Sequence, residues 1–124
     1  MSTLPVISVV DNDESVRTAV SSLLRAHDYT VNVYESAFAF LDSEGPVITA
    51  CLVSDIQMPG MCGTQMYEEL AARGIHIPTI FITGNPGAPP VLNPIVRRPE
   101  GYFSKPFQAG ELIACIERAL HRAR

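Results

Sequence analysis

Nowhere in the sequence is there an apolar run near the ~20 residues that a helix needs to cross a bilayer, so a transmembrane helix is excluded. Positive charge is in deficit: nine Lys and Arg stand against 13 Asp and Glu, giving a net charge of −4 and a pI near 5.2. Sequence-independent binding of nucleic acid needs a basic face, so direct nucleic-acid binding is argued against. The start, Met1-Ser2-Thr3-Leu4-Pro5, has neither the basic residues nor the apolar stretch of a signal peptide, which leaves the cytosol as the default address. Cysteine is sparse and unpatterned. Cys51 and Cys115 read as small core residues and Cys62 as a loop residue, with no disulfide framework and no zinc spacing. His27, His76 and His121 have no ligand partner at helical spacing and read as helix-end or surface residues. Repeats, low-complexity tracts and linkers are missing as well. What remains, 47% hydrophobic and 18% charged over 124 residues, is the composition of one ordinary globular domain spanning residues 1–124.

Within that domain, short β-branched runs alternate with amphipathic helices. Val6–Val10 is a strand that ends in the acidic loop Asp11-Asn12-Asp13-Glu14, and Ser15 or Asp13 caps the helix that follows. That helix carries Val16, Ala19, Val20, Leu23, Leu24 and His27 on one face. Residues 29–34 alternate like a strand near a sheet edge. Ser36 opens a short helix with Ala37, Phe38 and Leu41 inward, which stops before Gly45-Pro46. The run 51–55 is apolar until Asp55, as befits a strand buried on both faces, and Pro59, Gly60 and Gly63 then turn the chain. Helix 63–73 is ended by Gly74, strand 78–83 by Thr83 and Gly84, and strand 101–106 contains Lys105. A last helix from Gly110 to Arg124 turns Leu112, Ile113, Ile116, Ala119 and Leu120 inward.

The spacing calls for one more helix between Thr83 and Gly101, yet that stretch holds Pro86, Pro89, Pro90, Pro94 and Pro99. A proline inside a helix costs about 3 kcal/mol, so at most a single turn capped by Asn93 is expected. The pattern is (βα)₅ with a shortened or irregular fourth helix over 86–99. It implies a parallel sheet covered on both faces by right-handed crossovers.

In such a sheet every strand's carboxyl end lies on one edge, where open α/β folds bind their ligands. Asp11, Asp55, Thr83 and Lys105 close strands one, three, four and five. Each alone has a plain reading; Asp55 before Met58-Pro59-Gly60 serves as a turn former. Together they form two carboxylates that repel unless a cation joins them, plus a hydroxyl and an ammonium suited to phosphoryl oxygens. Oxygen-only ligands with open positions favour Mg²⁺. These are the parts phosphoryl transfer needs, since that reaction is mostly positioning and charge neutralisation.

The segments V-V-D-N-D-E-S-V-R at 9–17, D-I-Q-M-P-G-M-C-G at 55–63, I-T-G at 82–84 and G-Y-F-S-K-P-F at 101–107 resemble a CheY-like receiver domain of a two-component response regulator, with the FixJ-like subgroup as the nearest variant. The resemblance covers all 124 residues and implies the flavodoxin-like strand order 2-1-3-4-5. It further implies that Asp55 accepts a phosphoryl group from a sensor histidine kinase or phosphotransfer protein. Asp11, Asp55 and the backbone carbonyl of Gln57 would help hold Mg²⁺. Thr83 and Lys105 would bind the acyl phosphate, and Tyr102 would swing with Thr83. Lys105-Pro106 would be a cis bond, and Gln57 and Asn85 would tune phosphoryl lifetime. A homodimer and a downstream effector domain or protein are the partners it implies; no membrane is among them.

Two departures stand out. Asn12 occupies the position where receivers carry a second acid, so Mg²⁺ affinity is expected to be weak; Asp13 is the nearest acid that a local shift could bring in. The proline-rich segment 86–99 falls where the family's signalling helix belongs. Both features motivate a second reading, a pseudo-receiver that keeps the fold as an interaction module without the switch. A third is a haloacid-dehalogenase-like phosphatase built on Asp11-Asn12-Asp13, with Thr83 and Lys105 as later motifs. Against it, only Glu111 and Glu117 follow the lysine as acids, and there is no substrate cap.

Overall fold

The computed structural model describes residues 5–84, 99–105 and 107–122. Five strands, β1 (Val6–Val10), β2 (Thr30–Tyr34), β3 (Cys51–Asp55), β4 (Thr79–Thr83) and β5 (Gly101–Ser104), form one parallel sheet in the order β2-β1-β3-β4-β5. Five helices surround it: α1 (Glu14–Ala26), α2 (Ala37–Leu41), α3 (Gly45–Ile48), α4 (Gly63–Ala72) and α5 (Ala109–Arg122). The expected strand order is the observed one. The most buried strand is central: all five residues of β3 are buried. The alternating β2 lies at the edge with a half-wet pattern.

Two cores sandwich the sheet. One packs Ile7, Val9, Val53, Ile80 and Ile82 against Val20 and Leu24 of α1 and Leu112, Ile116 and Ala119 of α5. The other packs Val10 and Leu52 against Phe40, Met66, Leu70 and Ile77. Residues alternate between the two faces along each strand, as the two-residue period requires. Cys51 and Cys115 are buried in the first core, and burial pushes the Cys51 thiol up to about 12, too high to be reactive.

Local signals explain most element ends. Asp13 is the cap of α1, its side chain accepting from Ser15 N at 2.9 Å. Ser36 caps α2 by accepting from Ala39 N at 3.0 Å. Gly74 follows α4 at φ +75°, a conformation that costs other residues dearly.

Three expectations need correction. Gly45-Pro46 does not merely end α2; it opens α3, because proline is well tolerated in a first helical turn. Phe38 does not face the core: it stands 50% exposed while Phe40 takes the buried place. Ala19 and His27 fall outside the buried stripe of α1, whose contacts run through Val20 and Leu24. His27 is the helix's C-terminal cap, its Nδ1 within 3.0 Å of the Leu23 carbonyl. The segment 86–98, Asn85, Pro106, on which the expected cis bond falls, and Arg124 lie outside the described residues.

Candidate functional site

Asp11 is the first residue beyond β1 and is 2% exposed. Its backbone N–H donates to Tyr34 O at 3.1 Å, which continues the β1–β2 ladder by one bond. Its carboxylate is held from two sides. Oδ1 accepts from Asp13 N at 2.8 Å, and Oδ2 lies 3.5 Å from Lys105 Nζ. Asp55 closes β3 beside it, 7% exposed. Burial raises its pKa above the ordinary carboxylate value, and the neighbouring Asp11 charge raises it further. Lys105 and the backbone N–H groups of Gln57 and Ile56 pull it back down. The β1–β3 register, with Val10 opposite Ser54, sets Asp11 and Asp55 at the same sheet edge, and Lys105 reaches Asp11 there.

The rest of the rim follows from the ladder. Thr83 ends β4, one residue beyond the Asp55–Ile82 pairing, and its carbonyl accepts from Lys105 N at 2.8 Å. That bond delivers Lys105 from the end of β5 to the sheet edge. Tyr102 is 41% exposed and stacks on Phe81, two residues before Thr83, with ring centroids 5.7 Å apart. Tyr67 meets the other side of Phe81 edge-on at 5.7 Å. Gln57, Pro59 and Gly60 are exposed in the loop after Asp55, with Gly60 at φ +82°. Asn12 is exposed beside Asp11. Asp13 caps α1 through Oδ1, which accepts from Ser15 N at 2.9 Å.

Four residues with no assigned part in the sequence reading shape this pocket. Arg17 reaches back from α1 and its Nη1 donates to the Asp11 carbonyl at 2.7 Å. Ser54, fully buried, donates to the Asp55 carbonyl at 2.8 Å. Gly63 N donates to Ile56 O at 2.8 Å, and a Cβ at Gly63 would overlap the Asp55 carbonyl oxygen. Phe81 sits between two tyrosines. Only Gly63 had a legible signal, as a glycine opening a helix; Arg17 and Phe81 act through contacts between elements, and Ser54 through a bond to its own chain neighbour.

The donor set can be tested against a metal. Among the described residues no three His, Cys, Asp or Glu side chains gather in one place. Two carboxylates do, and Mg²⁺, which keeps several waters, is bound through one or two carboxylates plus phosphate oxygens. The pair fits a hard, partly hydrated cation and not a dedicated all-protein cage. No helix among the described residues is long and apolar enough to cross a membrane.

A doubly wound parallel sheet in the order β2-β1-β3-β4-β5, with two acids, a hydroxyl and a lysine at its carboxyl edge, defines the class: a flavodoxin-like α/β domain. The family model for the response regulator receiver domain matches residues 7–117. The chain belongs to that family. It is 35% identical over 117 residues to the transcriptional regulatory protein FixJ of Azorhizobium caulinodans, covering 94% of this chain and 56% of that protein. It is 38% identical over 118 residues to the response regulator protein TmoT of Ectopseudomonas mendocina, covering 95% and 54%. The chain thus spans about half the length of the curated relatives it matches. Among solved structures, response regulator StyR superposes with a TM-score of 0.88 at 34% identity, over 96% of this chain and 60% of that one. FixJ-N superposes at 0.83 with 31% identity, over 98% and 96%. These comparisons make the chain a FixJ-like receiver domain of the two-component type.

Proposed function

We propose that this receiver domain works as a phosphorylation switch. Asp55 takes a phosphoryl group from a sensor histidine kinase or phosphotransfer protein and so alters a surface read by a partner. The observation that carries this reading is the pocket in which Asp55 is electrostatically coupled to both Asp11 and Lys105 at one sheet edge.

The chemistry follows from these groups. A carboxylate oxygen of Asp55 forms the new P–O bond as the P–N bond to the donor histidine breaks, and the imidazole leaves with the electron pair. Burial strips water from Asp55, which strengthens every charge interaction around the transferring group. Lys105 supplies a compact cation that can leave Asp11 and pair with a phosphoryl oxygen. Thr83 offers a hydroxyl at the same rim. Asp11, Asp55 and the Gln57 carbonyl are the groups that would hold Mg²⁺, which supplies neutralising charge for phosphoryl oxygens. With Asn12 neutral, its affinity is weak.

Phosphorylation adds about −1.5 to −2 charges at Asp55. Phe81 lies two residues before Thr83 on β4 and Tyr102 of β5 stacks on it, so a shift at Thr83 reaches an exposed tyrosine. Residues 1–124 act as one receiver unit with no turnover of its own beyond self-phosphorylation and dephosphorylation. A homodimer or an effector domain reads the change, and the address is the cytoplasm. Asp13 capping α1 counts against the phosphatase reading, which needs that acid free.

The test is label incorporation from a small phosphodonor with Mg²⁺. Wild type takes up one phosphoryl group and Asp55→Asn takes up none. Label surviving in Asp55→Asn refutes the assignment, and no label in wild type at millimolar Mg²⁺ favours the pseudo-receiver.

A further inference from the structure

We propose that Arg17 is a positioning residue for Asp11. The proposal rests on the reading of Asp11 as a metal-holding acid, and it adds the device that aims that acid. Asp11 is the first residue after β1; its N–H makes the last bond toward β2, to Tyr34 O, and the chain then turns into the acidic loop. Arg17, half-buried on α1, holds the carbonyl side of the same residue by donating from Nη1 at 2.7 Å. The bond is short and charge-assisted.

The same junction is tied twice more. Asp13 N donates to Asp11 Oδ1 at 2.8 Å, and the Asp13 side chain accepts from Ser15 N at 2.9 Å. Arg17 N itself donates to Asp13 O at 3.1 Å, the first bond of the helix. Arg17 is thus tied to Asp13 by its main chain and to Asp11 by its side chain, and it closes a loop around the acidic turn. With one carboxylate oxygen fixed by Asp13, the other is left pointing across the pocket to Lys105. Where Asn12 contributes no charge, the aim of this one acid matters more.

A positioning role and a charge role predict opposite signs. Arg17 is a cation, so if its charge alone mattered, removing it would tighten the binding of another cation nearby. If it aims Asp11, removing it loosens the acid and weakens that binding. Arg17→Met keeps the apolar stem and removes the donor and the charge. Two measurements on the whole chain follow, by NMR at a temperature well below unfolding.

Without metal, the Asp13 amide in Arg17→Met should exchange about tenfold faster than in wild type, while core amides of β3 are unchanged. With Mg²⁺ alone as titrant, the dissociation constant should rise about tenfold, the lower end of what losing a supporting partner costs a metal site. Unchanged Asp13 exchange overturns the proposal, as does Mg²⁺ binding that is unchanged or tighter. A purely structural role would speed all amides together and leave the Mg²⁺ constant alone, and that result overturns it too. If wild type binds no Mg²⁺ yet the Asp13 amide loses protection in the variant, the aiming role stands and the metal reading of Asp11 falls.

Discussion

Replacing Gly63 by alanine should damage this protein where helix propensity alone predicts a gain. Gly63 is the first residue of α4, and at an open helical site Gly→Ala stabilises by about 0.5–1 kcal/mol. Here the added Cβ would overlap the Asp55 carbonyl oxygen and come within 3.0 Å of Ser54 Oγ. Neither neighbour can yield cheaply. The first is backbone of the central, wholly buried strand, and the second is a buried hydroxyl bonded to that same carbonyl at 2.8 Å. Forcing extra volume into such a site costs about 1–3 kcal/mol, occasionally more. The net expected loss is about 1 kcal/mol, or about 4 °C in melting temperature for a domain of this size. Gly110→Ala is the control, since a Cβ there meets nothing within 4 Å, and it should be neutral or slightly stabilising. Thermal unfolding by circular dichroism measures both. Because the displaced carbonyl belongs to Asp55, phosphorylation from a small phosphodonor should also slow in Gly63→Ala at temperatures where it is folded. If Gly63→Ala melts within a degree of wild type, the close approach of α4 to Asp55 is wrong.

Other outcomes follow from the same pocket. The raised pKa of Asp55 means that the folded state holds its proton more tightly than the unfolded chain. Its contribution is therefore most favourable below the ordinary carboxylate range of about 4, and is lost as pH rises through the raised value. Asp55→Asn should accordingly raise stability at neutral pH and flatten that part of the stability–pH curve, as measured by urea unfolding across pH. Asn12→Asp, which adds a charge beside Asp11, should tighten Mg²⁺ binding about tenfold, readable from tyrosine fluorescence in this tryptophan-free chain. Asp13→Ala removes the α1 cap and should cost about 1 kcal/mol in chemical denaturation. Phe81→Ala empties a fully buried site between two tyrosines and should cost about 3–5 kcal/mol by the same measurement.

How far the sequence reaches depends on the range of the forces involved. The central place of 51–55 and the edge place of 29–34 were legible because burial on both faces writes itself as an apolar run and an edge strand as alternation; the full strand order came only with the family resemblance. The candidate residues were legible because parallel topology alone brings four strand ends to one edge. Contacts that depend on how helices seat were not legible. Arg17 reads as a surface cation on α1 until the turn of the chain brings it back to Asp11. Ser54 reads as one more residue of a buried run until its hydroxyl is seen closing the Asp55 carbonyl. Phe38 and Phe40 differ by two positions, and helical spacing over five residues cannot decide which of them is inside. Before Gly45-Pro46 the short helix does stop, but the pair was read only as a stop, whereas it also starts the next helix.

The account's central claim is that Asp11, Asp55, Thr83 and Lys105 act together on one phosphoryl group. A crystal structure of the chain with Mg²⁺ and a phosphoryl mimic tests it most directly. The predicted result is the mimic on Asp55, an ion shared by Asp11, Asp55 and the Gln57 carbonyl, and Lys105 moved from Asp11 onto the mimic. A mimic bound elsewhere, or Lys105 still paired to Asp11 with Thr83 turned away from an occupied Asp55, would contradict it.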